Sequence, residues 1–309
     1  MLLVLVRHGE STNNVLKGCL RETYGHGTDE LQDAYDARKS FDPELSDLGK
    51  VQAARVAEWL ERVYLNPLND RNAVFGATVS APPGGKVAIR VACSAMQRAI
   101  MTAKPVAEAF GVRAEVLRDA HEIKGCWSGA TGGRSGLTAS EIESRFPFAT
   151  CDTENAVPRD RGWWTDDDDA AHHPKPMETS ELASERADRM ADLLKEIAVK
   201  SKVPTIFVLV THGNFMSFLI QSLLDISVNH TKLGKLEKMF KHQNTAISAF
   251  MLPHDREEAL RKNKGAPVQV LCLGNCSHID PCQARFFDEP KKSVDCGDQN
   301  VEWSWPECI

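Results

Sequence analysis

The segment VLVRHGESTNN, Val4–Asn14, joins a run of apolar residues directly to an arginine and a histidine. Residues 2–6 are apolar without alternation, which is typical of a strand that is buried on both faces of a sheet. A turn after such a strand requires neither an arginine nor a histidine. The pattern therefore predicts a buried strand whose carboxyl end carries side chains that serve some further purpose.

Strand and helix patterns alternate along the rest of the chain. Ser46 is predicted to cap a helix that NPLNDRN ends. Residues 17–44 lack a sustained period and are predicted to be loop and short helix, 124–136 a loop, and 150–177 irregular. The alternation predicts an α/β fold, a three-layer sandwich with helices on both faces of a mainly parallel sheet. Further strands are predicted at 87–93, 113–117, 205–210, 246–252 and 268–273, and further helices at 95–110, 140–146, 178–200 and 214–224.

One domain is expected to hold most of the chain. A length of 309 residues allows one large domain or two ordinary ones, but no linker or internal repeat divides the sequence. We expect a domain over residues 1–282, followed by a poorly structured tail over 283–309. The long polar stretches are interpreted as insertions, near 17–44, 66–86 and 129–177.

The composition narrows the classes of partner. The chain has 37 basic and 43 acidic residues and a net charge of −6, which disfavours nucleic acid or an anionic membrane as the main partner. Residues 2–6 are too short for the apolar part of a signal peptide, and no apolar run approaches the ~20 residues of a membrane span. Nine cysteines without regular spacing fit a reducing compartment better than a disulfide framework. We expect a cytoplasmic protein and leave its oligomeric state open.

Three segments that carry reactive or cationic side chains each follow a predicted strand. Arg7 and His8 follow the first strand, Arg98 opens the helix after the second, and His212 follows the strand at 205–210. Ligands of open parallel sheets bind beyond the carboxyl ends of the strands, where helix N-termini add partial positive charge. Arginine forks match phosphoryl oxygens, and histidine can attack phosphorus. The arrangement suits a phosphoryl group.

Four motifs, VRHGEST, LSDLGKVQAA, SAMQRAIMTA and VTHGN, occur in this order and resemble those of the histidine phosphatase superfamily, which has the phosphoglycerate mutase-like fold. The late segments NTAISAF and LGNCSHI are similar to the final strands of that family. The resemblance covers roughly residues 1–280. It implies that His8 is the nucleophile that becomes phosphorylated, and that Arg7, Arg98 and His212 hold the three equatorial phosphoryl oxygens.

The resemblance also implies a proton donor and further phosphate contacts. Glu122, in HEIKGCWSG, is the candidate that protonates the leaving oxygen and then activates water. The family usually has three residues between this glutamate and the next glycine, whereas only two separate Glu122 from Gly125. Asn14 matches a further phosphate contact, and Gly213 is assigned to the substrate-binding site. The implied chemistry requires no metal or other cofactor.

Two departures from the family's mutases favour hydrolysis. Mutases have Thr-Gly where this chain has Leu20-Arg21, and their run E-R-H-Y-G is replaced by HEIKG. We expect a phosphatase acting on a small phosphorylated substrate, with a phosphoprotein as the other possible partner. The alternatives are a phosphoglycerate mutase, a bisphosphate phosphatase or mutase, and a non-catalytic binding scaffold. A second anionic group on the ligand is suggested by cations predicted near the mouth of the site, Lys17, Arg21, Lys124 and Arg134.

Three other features are given structural interpretations. The run at 166–169 has four consecutive acids, which is more typical of a solvated loop than of a cation site. Trp163 and Trp164 are expected to anchor an insertion rather than to line a pocket. A set of cysteines and a histidine has spacing loosely like that of a zinc site, but part of it falls in a segment that resembles the family's last strand. That set is Cys272, Cys276, His278 and Cys282.

Overall fold

A seven-stranded sheet forms the centre of the molecule. A computed structural model of the chain describes residues 1–65, 87–128, 132–166, 171–226, 239–255 and 268–279. The sheet order is β6-β3-β2-β7-β1-β8-β9, and a separate pair of two-residue strands, β4 and β5, forms a small ribbon. The strands are β1 (Leu2–Arg7), β2 (Ala88–Ser94), β3 (Ala114–Leu117), β4 (Trp127–Ser128), β5 (Gly132–Gly133), β6 (Ala149–Thr150), β7 (Thr205–Thr211), β8 (Ile247–Met251) and β9 (Gln269–Asn275).

Five neighbouring strands of this sheet, from β6 to β1, are parallel. The last two strands pair in antiparallel fashion, β8 with β1 and β9 with β8. Strand β1 lies between β7 and β8, and β7 lies between β1 and β2. Because these strands have neighbours on both edges and helices on both faces, their sequences are apolar throughout rather than alternating.

Helices cover both faces of the sheet, so the predicted three-layer α/β sandwich is confirmed. Alternate residues of β1 enter different cores: Val4 packs with α3 and α4 on one face, and Leu5 packs with α6 and α7 on the other. No described helix is long and apolar enough to cross a bilayer. The helices are α1 (Thr12–Tyr24), α2 (Asp29–Arg38), α3 (Asp47–Leu65), α4 (Gln97–Phe110), α5 (Ala139–Arg145), α6 (Ser180–Lys200) and α7 (Gly213–Leu223).

The prediction of loop and short helix over 17–44 understated the helical content, because α1 and α2 occupy most of this stretch and only 25–28 and 39–44 are loop. Each of the two helices buries a single residue, Leu20 in α1 and Leu31 in α2. The apolar face of α1, at positions 15, 16, 19 and 20, begins before residue 17, and the apolar face of α2 is weak, so no period is sustained over 17–44. The N-terminal caps are the clearer signal: Ser11 forms a capping box at α1, and the side chain of Thr28 caps α2.

The remaining predicted elements agree with the structure to within about two residues at their ends, as expected for fraying termini. The loop predicted over 124–136 contains the small β4–β5 ribbon, and β6 adds an edge strand that the sequence pattern did not indicate. Trp163 and Trp164 are buried in the core beneath the irregular stretch that carries them. The proposed insertion at 66–86 and the tail at 283–309 lie outside the described residues, so the domain boundaries stay predictions.

Candidate active site

The ends of three parallel strands bring the predicted residues together. Arg7 is in register with Thr211 across β1 and β7, and the backbone N–H of His8 donates to the Thr211 carbonyl at 2.9 Å. This pairing places the rings of His8 and His212 side by side, with centroids 5.0 Å apart. On the other side of β7, the end of β2 places Ser94 Oγ 2.9 Å from Nε2 of His212. Residues far apart in sequence therefore meet at one edge of the sheet.

His8 is held as one tautomer. Its Nδ1 lies 2.6 Å from the Gly9 carbonyl oxygen, which can only accept a hydrogen bond, so Nδ1 carries the proton. Nε2 is left with its lone pair, and Nε of Arg98 donates to it at 3.2 Å. Burial, followed by the charges of Arg98 and Arg7, lowers the pKa of His8 well below its usual range. The imidazole is therefore neutral at pH 7, and the lone pair on Nε2 points to Arg98, whose bond to it must give way when Nε2 binds another group.

The two arginines reach the site from different elements. Arg98 is buried in the first turn of α4, and its carbonyl accepts a bond from Thr102 Oγ1, which in turn accepts from the Gly9 N–H. Arg7, at the end of β1, donates through Nη1 to the His242 carbonyl. A Cβ atom built on Gly213 would lie 3.2 Å from Arg7 Nε. A glycine at 213 thus allows the Arg7 side chain to pass close to the start of α7.

His212 lies behind His8 and is completely buried, so it is not part of the pocket wall. Burial, followed by the charges of Arg98 and His8, lowers the pKa of His212 well below its usual range. Its Nδ1 is buried and has no hydrogen-bond partner among the residues that the structure describes. A neutral, rigidly held imidazole can still supply one hydrogen bond to a group bound beside His8.

In the chain, Glu122 follows β3 and a short 3₁₀ helix. In space, its side chain lies in the pocket wall beside the beginning of α7. Its Oε1 accepts from the backbone N–H groups of Ile123 and Phe215, each at 3.0 Å, and Oε2 accepts from Asn214 at 3.4 Å. A spacing of three intervening residues before Gly125, as is usual in the family, would give position 121, which is a histidine. His121 is buried away from the pocket, with its ring 5.0 Å from that of Trp164. The geometry therefore favours Glu122 despite the short spacing.

Asn14 also lies in the pocket wall, and the positions of its amide atoms are set by their neighbours. Its Oδ1 accepts from the Ser11 N–H at 3.0 Å and from Nδ2 of Asn244 at 3.4 Å. The Asn14 NH₂ group is left as a donor towards a ligand. Asn244 is a site residue that sequence reasoning missed: its Nδ2 also donates to the His8 carbonyl at 3.0 Å.

The pocket has a volume of about 480 Å³ and is strongly basic. Among the described residues that line it, Glu122 is the only carboxylate. Three of the cations predicted near the mouth do line the pocket, whereas Arg134 does not and instead stacks on Phe41, 5.1 Å from the ring centroid. Sequence reasoning missed Tyr35, Lys39, Lys241 and His242. The cations in the wall are Arg7, Lys17, Arg21, Lys39, Arg98, Lys124 and Lys241.

Within the described parts of the chain, no group of three histidine, cysteine, aspartate or glutamate side chains is arranged to hold a metal ion. Cys282 of the zinc-like set and residues 167–169 of the acidic run lie outside those parts. His278 lies with Nε2 3.2 Å from Thr245 Oγ1. Independence from metals stays a prediction.

Several solved structures are similar to this chain. One of a mycobacterial glucosyl-3-phosphoglycerate phosphatase with VO3 is 18% identical, covers 89% of this chain and 99% of its own, and has a TM-score of 0.47. Another, of Entamoeba histolytica phosphoserine phosphatase with 3-phosphoglyceric acid, is 18% identical over 90% of this chain and 98% of its own, with a TM-score of 0.44. Both are phosphatases.

A comparison with curated proteins gives no match. The family model of the histidine phosphatase superfamily (branch 1) matches residues 84–265, more than half of the chain. Arg98, Glu122 and His212 fall within that match. The chain belongs to the histidine phosphatase superfamily.

Proposed function

We propose that this protein is a metal-independent phosphatase that hydrolyses phosphate monoesters through a phosphohistidine on His8. The observation that carries the proposal is the tautomer of His8. The bond between Nδ1 and the Gly9 carbonyl leaves the Nε2 lone pair beside Arg98. A neutral imidazole with a fixed orientation is the form of histidine that attacks phosphorus.

In the first half-reaction, Nε2 of His8 forms a bond to phosphorus while the bond from phosphorus to the ester oxygen breaks. Negative charge is spread over three equatorial phosphoryl oxygens in the transition state. We assign Arg7, Arg98 and the Asn14 amide, which line the pocket, as donors to those oxygens, and Nδ1 of His212, which has no partner among the described residues, as one more donor. Donors that are already oriented cost no reorganisation when the charge develops.

Glu122 is the group proposed to exchange protons with the ester oxygen and with water. It gives a proton to the leaving alcohol, and in the second half-reaction it takes one from the water that attacks phosphorus, which releases inorganic phosphate and restores His8. Its anchoring at the start of α7 places the carboxyl group beside the same pocket as His8. The substrate class is a small phosphorylated molecule, and a phosphoprotein is the other outcome that a substrate screen would detect.

The experiment compares the wild-type chain, His8→Ala and a control variant, His173→Ala, in which an exposed histidine outside the pocket is replaced. Phosphatase activity is screened over a metabolite panel, and ³²P-labelled substrate is quenched during turnover. We expect an acid-labile, base-stable label on His8 in the wild type and in His173→Ala, and no turnover by His8→Ala. Label on Ser11 or Ser94 would refute the mechanism. Loss of activity in EDTA, restored by a divalent ion, would show a metal-dependent enzyme.

A mutase would use the same phosphohistidine, so transfer must be measured separately from hydrolysis. The test supplies 3-phosphoglycerate with a trace of 2,3-bisphosphoglycerate and follows both free phosphate and 2-phosphoglycerate. Interconversion that outruns phosphate release by more than about tenfold corresponds to a barrier difference of ~1.4 kcal/mol. That result would assign the chain to the mutases.

A further inference from the structure

The pocket extends well beyond the space that a phosphoryl group needs. Its volume of about 480 Å³ falls in the range of sites that hold a whole small ligand. Beyond His8, three lysines from different segments contribute to the wall: Lys17 from α1, Lys39 from the end of α2, and Lys124 from the loop after Glu122. We refer to these three residues as the lysine cluster.

Helix α1 leads from the phosphoryl site to the lysine cluster. Asn14, Lys17 and Arg21 follow one another at intervals of three and four residues, so they share one face of the helix. All three line the pocket. The face that begins with a donor to the phosphoryl group therefore continues outwards as a row of cations.

Tyr35 brings two of these cations together. Lys17 Nζ lies 5.3 Å and Lys39 Nζ 5.6 Å from the centroid of its ring. The ring face attracts an ammonium group and so offsets part of the repulsion between the two. Burial raises the pKa of Tyr35 and the charge of Arg98 lowers it; the net shift is upwards, so the phenol stays protonated. The effect of Arg98 on Tyr35 also shows that its charge acts within the same pocket.

Among the residues that the structure describes, Asp36 is an acid that forms an ion pair with the lysine cluster. Asp36 lies 2.8 Å from Lys39 Nζ, and it also accepts a bond from Gln32. Burial raises the pKa of Asp36, but the bonds from Lys39 and Gln32 and the charges of Lys39 and Lys124 outweigh it, and the net shift is downwards. The ionised Asp36 carboxylate therefore holds Lys39 in the wall and offsets part of the positive charge of the lysine cluster.

Lys124 is held in an unusual backbone conformation. Its φ is +75°, in the left-handed region that residues with a side chain rarely adopt, and Gly125 follows with φ +57°. Conformations of this kind are concentrated at functional sites. The strained turn after Glu122 places Lys124 in the wall of the pocket rather than elsewhere on the surface.

We infer that the lysine cluster binds a second phosphate group of the substrate, so that the preferred substrates are small bisphosphates. Three ammonium groups in one part of the wall can donate to the three terminal oxygens of a phosphate, whereas a carboxylate has only two oxygens to accept. This inference rests on the proposed function, because it assumes that the first phosphate binds at His8. Lysines also bind carboxylates. Ligands that carry a carboxylate in place of the second phosphate therefore form the second arm of the test.

Binding is tested with alkane bisphosphonates of three to six carbons, which cannot be hydrolysed, against alkylphosphonates and carboxyalkyl phosphonates of the same lengths. Titration calorimetry on the wild-type protein gives the dissociation constants. At one chain length we expect the bisphosphonate to bind at least about tenfold more tightly than the alkylphosphonate, since hydrogen bonds to charged groups are strong. A carboxylate that gains as much as the phosphonate would overturn the choice of phosphate. Equal binding of all three at every length would overturn the lysine cluster as a subsite.

Variants assign the effect to residues. The double variant Lys17→Met with Lys39→Met is expected to reduce the ratio of the two affinities to below about threefold. The control is Lys200→Met, which replaces an exposed lysine at the far end of α6 and should leave the ratio unchanged. A ratio that survives in the double variant would place the second phosphate elsewhere in the pocket and overturn the assignment.

Turnover separates the failure of this inference from the failure of the proposed function. Hydrolysis of alkanediol monophosphates and bisphosphates is measured beside the binding series. Release of phosphate from both esters with equal kcat/KM, and no preference in binding, would leave a phosphatase without the subsite. Tight binding of the bisphosphonate with no release from any ester would keep the subsite and refute the phosphatase.

Discussion

A buried ion pair beneath the Glu122 loop gives a quantitative prediction for stability. Arg186 of α6 binds both carboxylate oxygens of Glu178 at 2.7 Å, and both side chains are less than a tenth exposed. Nη1 of Arg186 also donates to the carbonyls of Asp119 and His121, at 2.6 and 3.0 Å. The residue before Glu122 is thus fixed to α6 by a charged donor.

Arg186→Met removes this donor and leaves the Glu178 carboxylate buried without its partner. Breaking a buried pair in this way costs about 3–5 kcal/mol, and the two carbonyls lose a charged donor as well. We expect a loss of at least about 3 kcal/mol in the free energy of unfolding, which is a large part of the 5–15 kcal/mol of a typical domain. The measurement is equilibrium urea denaturation.

Two comparisons make the result specific. Arg55→Met, which removes an exposed partner of Glu58, should cost less than about 1 kcal/mol. Glu178→Met combined with Arg186→Met should be more stable than Arg186→Met alone, because no charge is then left buried. If Arg186→Met fails to fold while the double variant folds, the conclusion is the same. A cost for Arg186→Met within 1 kcal/mol of that for Arg55→Met would refute the reasoning.

Three further predictions concern titratable groups. Glu122→Gln should slow release of an alkyl alcohol about 10²–10⁴-fold, because an alkoxide needs a proton to leave. It should hardly slow release of p-nitrophenol, which leaves without a proton. Equal effects on kcat for the two substrates would show that Glu122 has a binding role instead. The lowered pKa of His8, caused by burial and by Arg98 and Arg7, keeps the ring neutral as the pH falls from 7.5 to 6. We expect kcat/KM for p-nitrophenyl phosphate, corrected for ionisation of the substrate, to change less than about twofold, whereas a histidine of ordinary pKa would give a loss of about fourfold. Burial raises the pKa of Asp42 from 3.8 to about 6, so its ionisation destabilises the folded state as the pH rises from about 4 through 6. Asp42→Asn should therefore gain up to about 3 kcal/mol relative to wild type between pH 4 and pH 7.5 in urea denaturation, and the same difference at both pH values would contradict this.

The sequence was sufficient for the sheet, apart from its edge strand β6, and for the groups at the carboxyl ends of the strands. Buried parallel strands are continuous apolar runs, and residues directly after such runs must lie at one edge, so the positions of Arg7, His8 and Arg98 followed from the pattern. Helices α1 and α2 did not follow, because the apolar stripe of α1 is short and starts before residue 17, and that of α2 is weak. Short-range periodicity reports burial, and nearly all residues of these two helices are half-buried or exposed.

The outer part of the pocket could not be predicted for a different reason. Lys39 and Lys241 resemble any surface lysine in the sequence, and only the folded chain brings them to one cavity. Asn244 is a buried amide that holds the His8 carbonyl from more than 200 positions away, and no spacing rule connects the two. Such contacts depend on tertiary structure alone.

The pairing of β1 with β7 has a consequence for synthesis of the chain. Leu2 is in register with Ile206, 204 residues later, and the other neighbour of β1 comes later still. At roughly 5–20 residues per second, the ribosome needs about 10–40 s between the two strands. During that time the apolar strand that precedes the proposed nucleophile has no sheet neighbour, so we expect the nascent chain to depend on chaperones until β7 emerges.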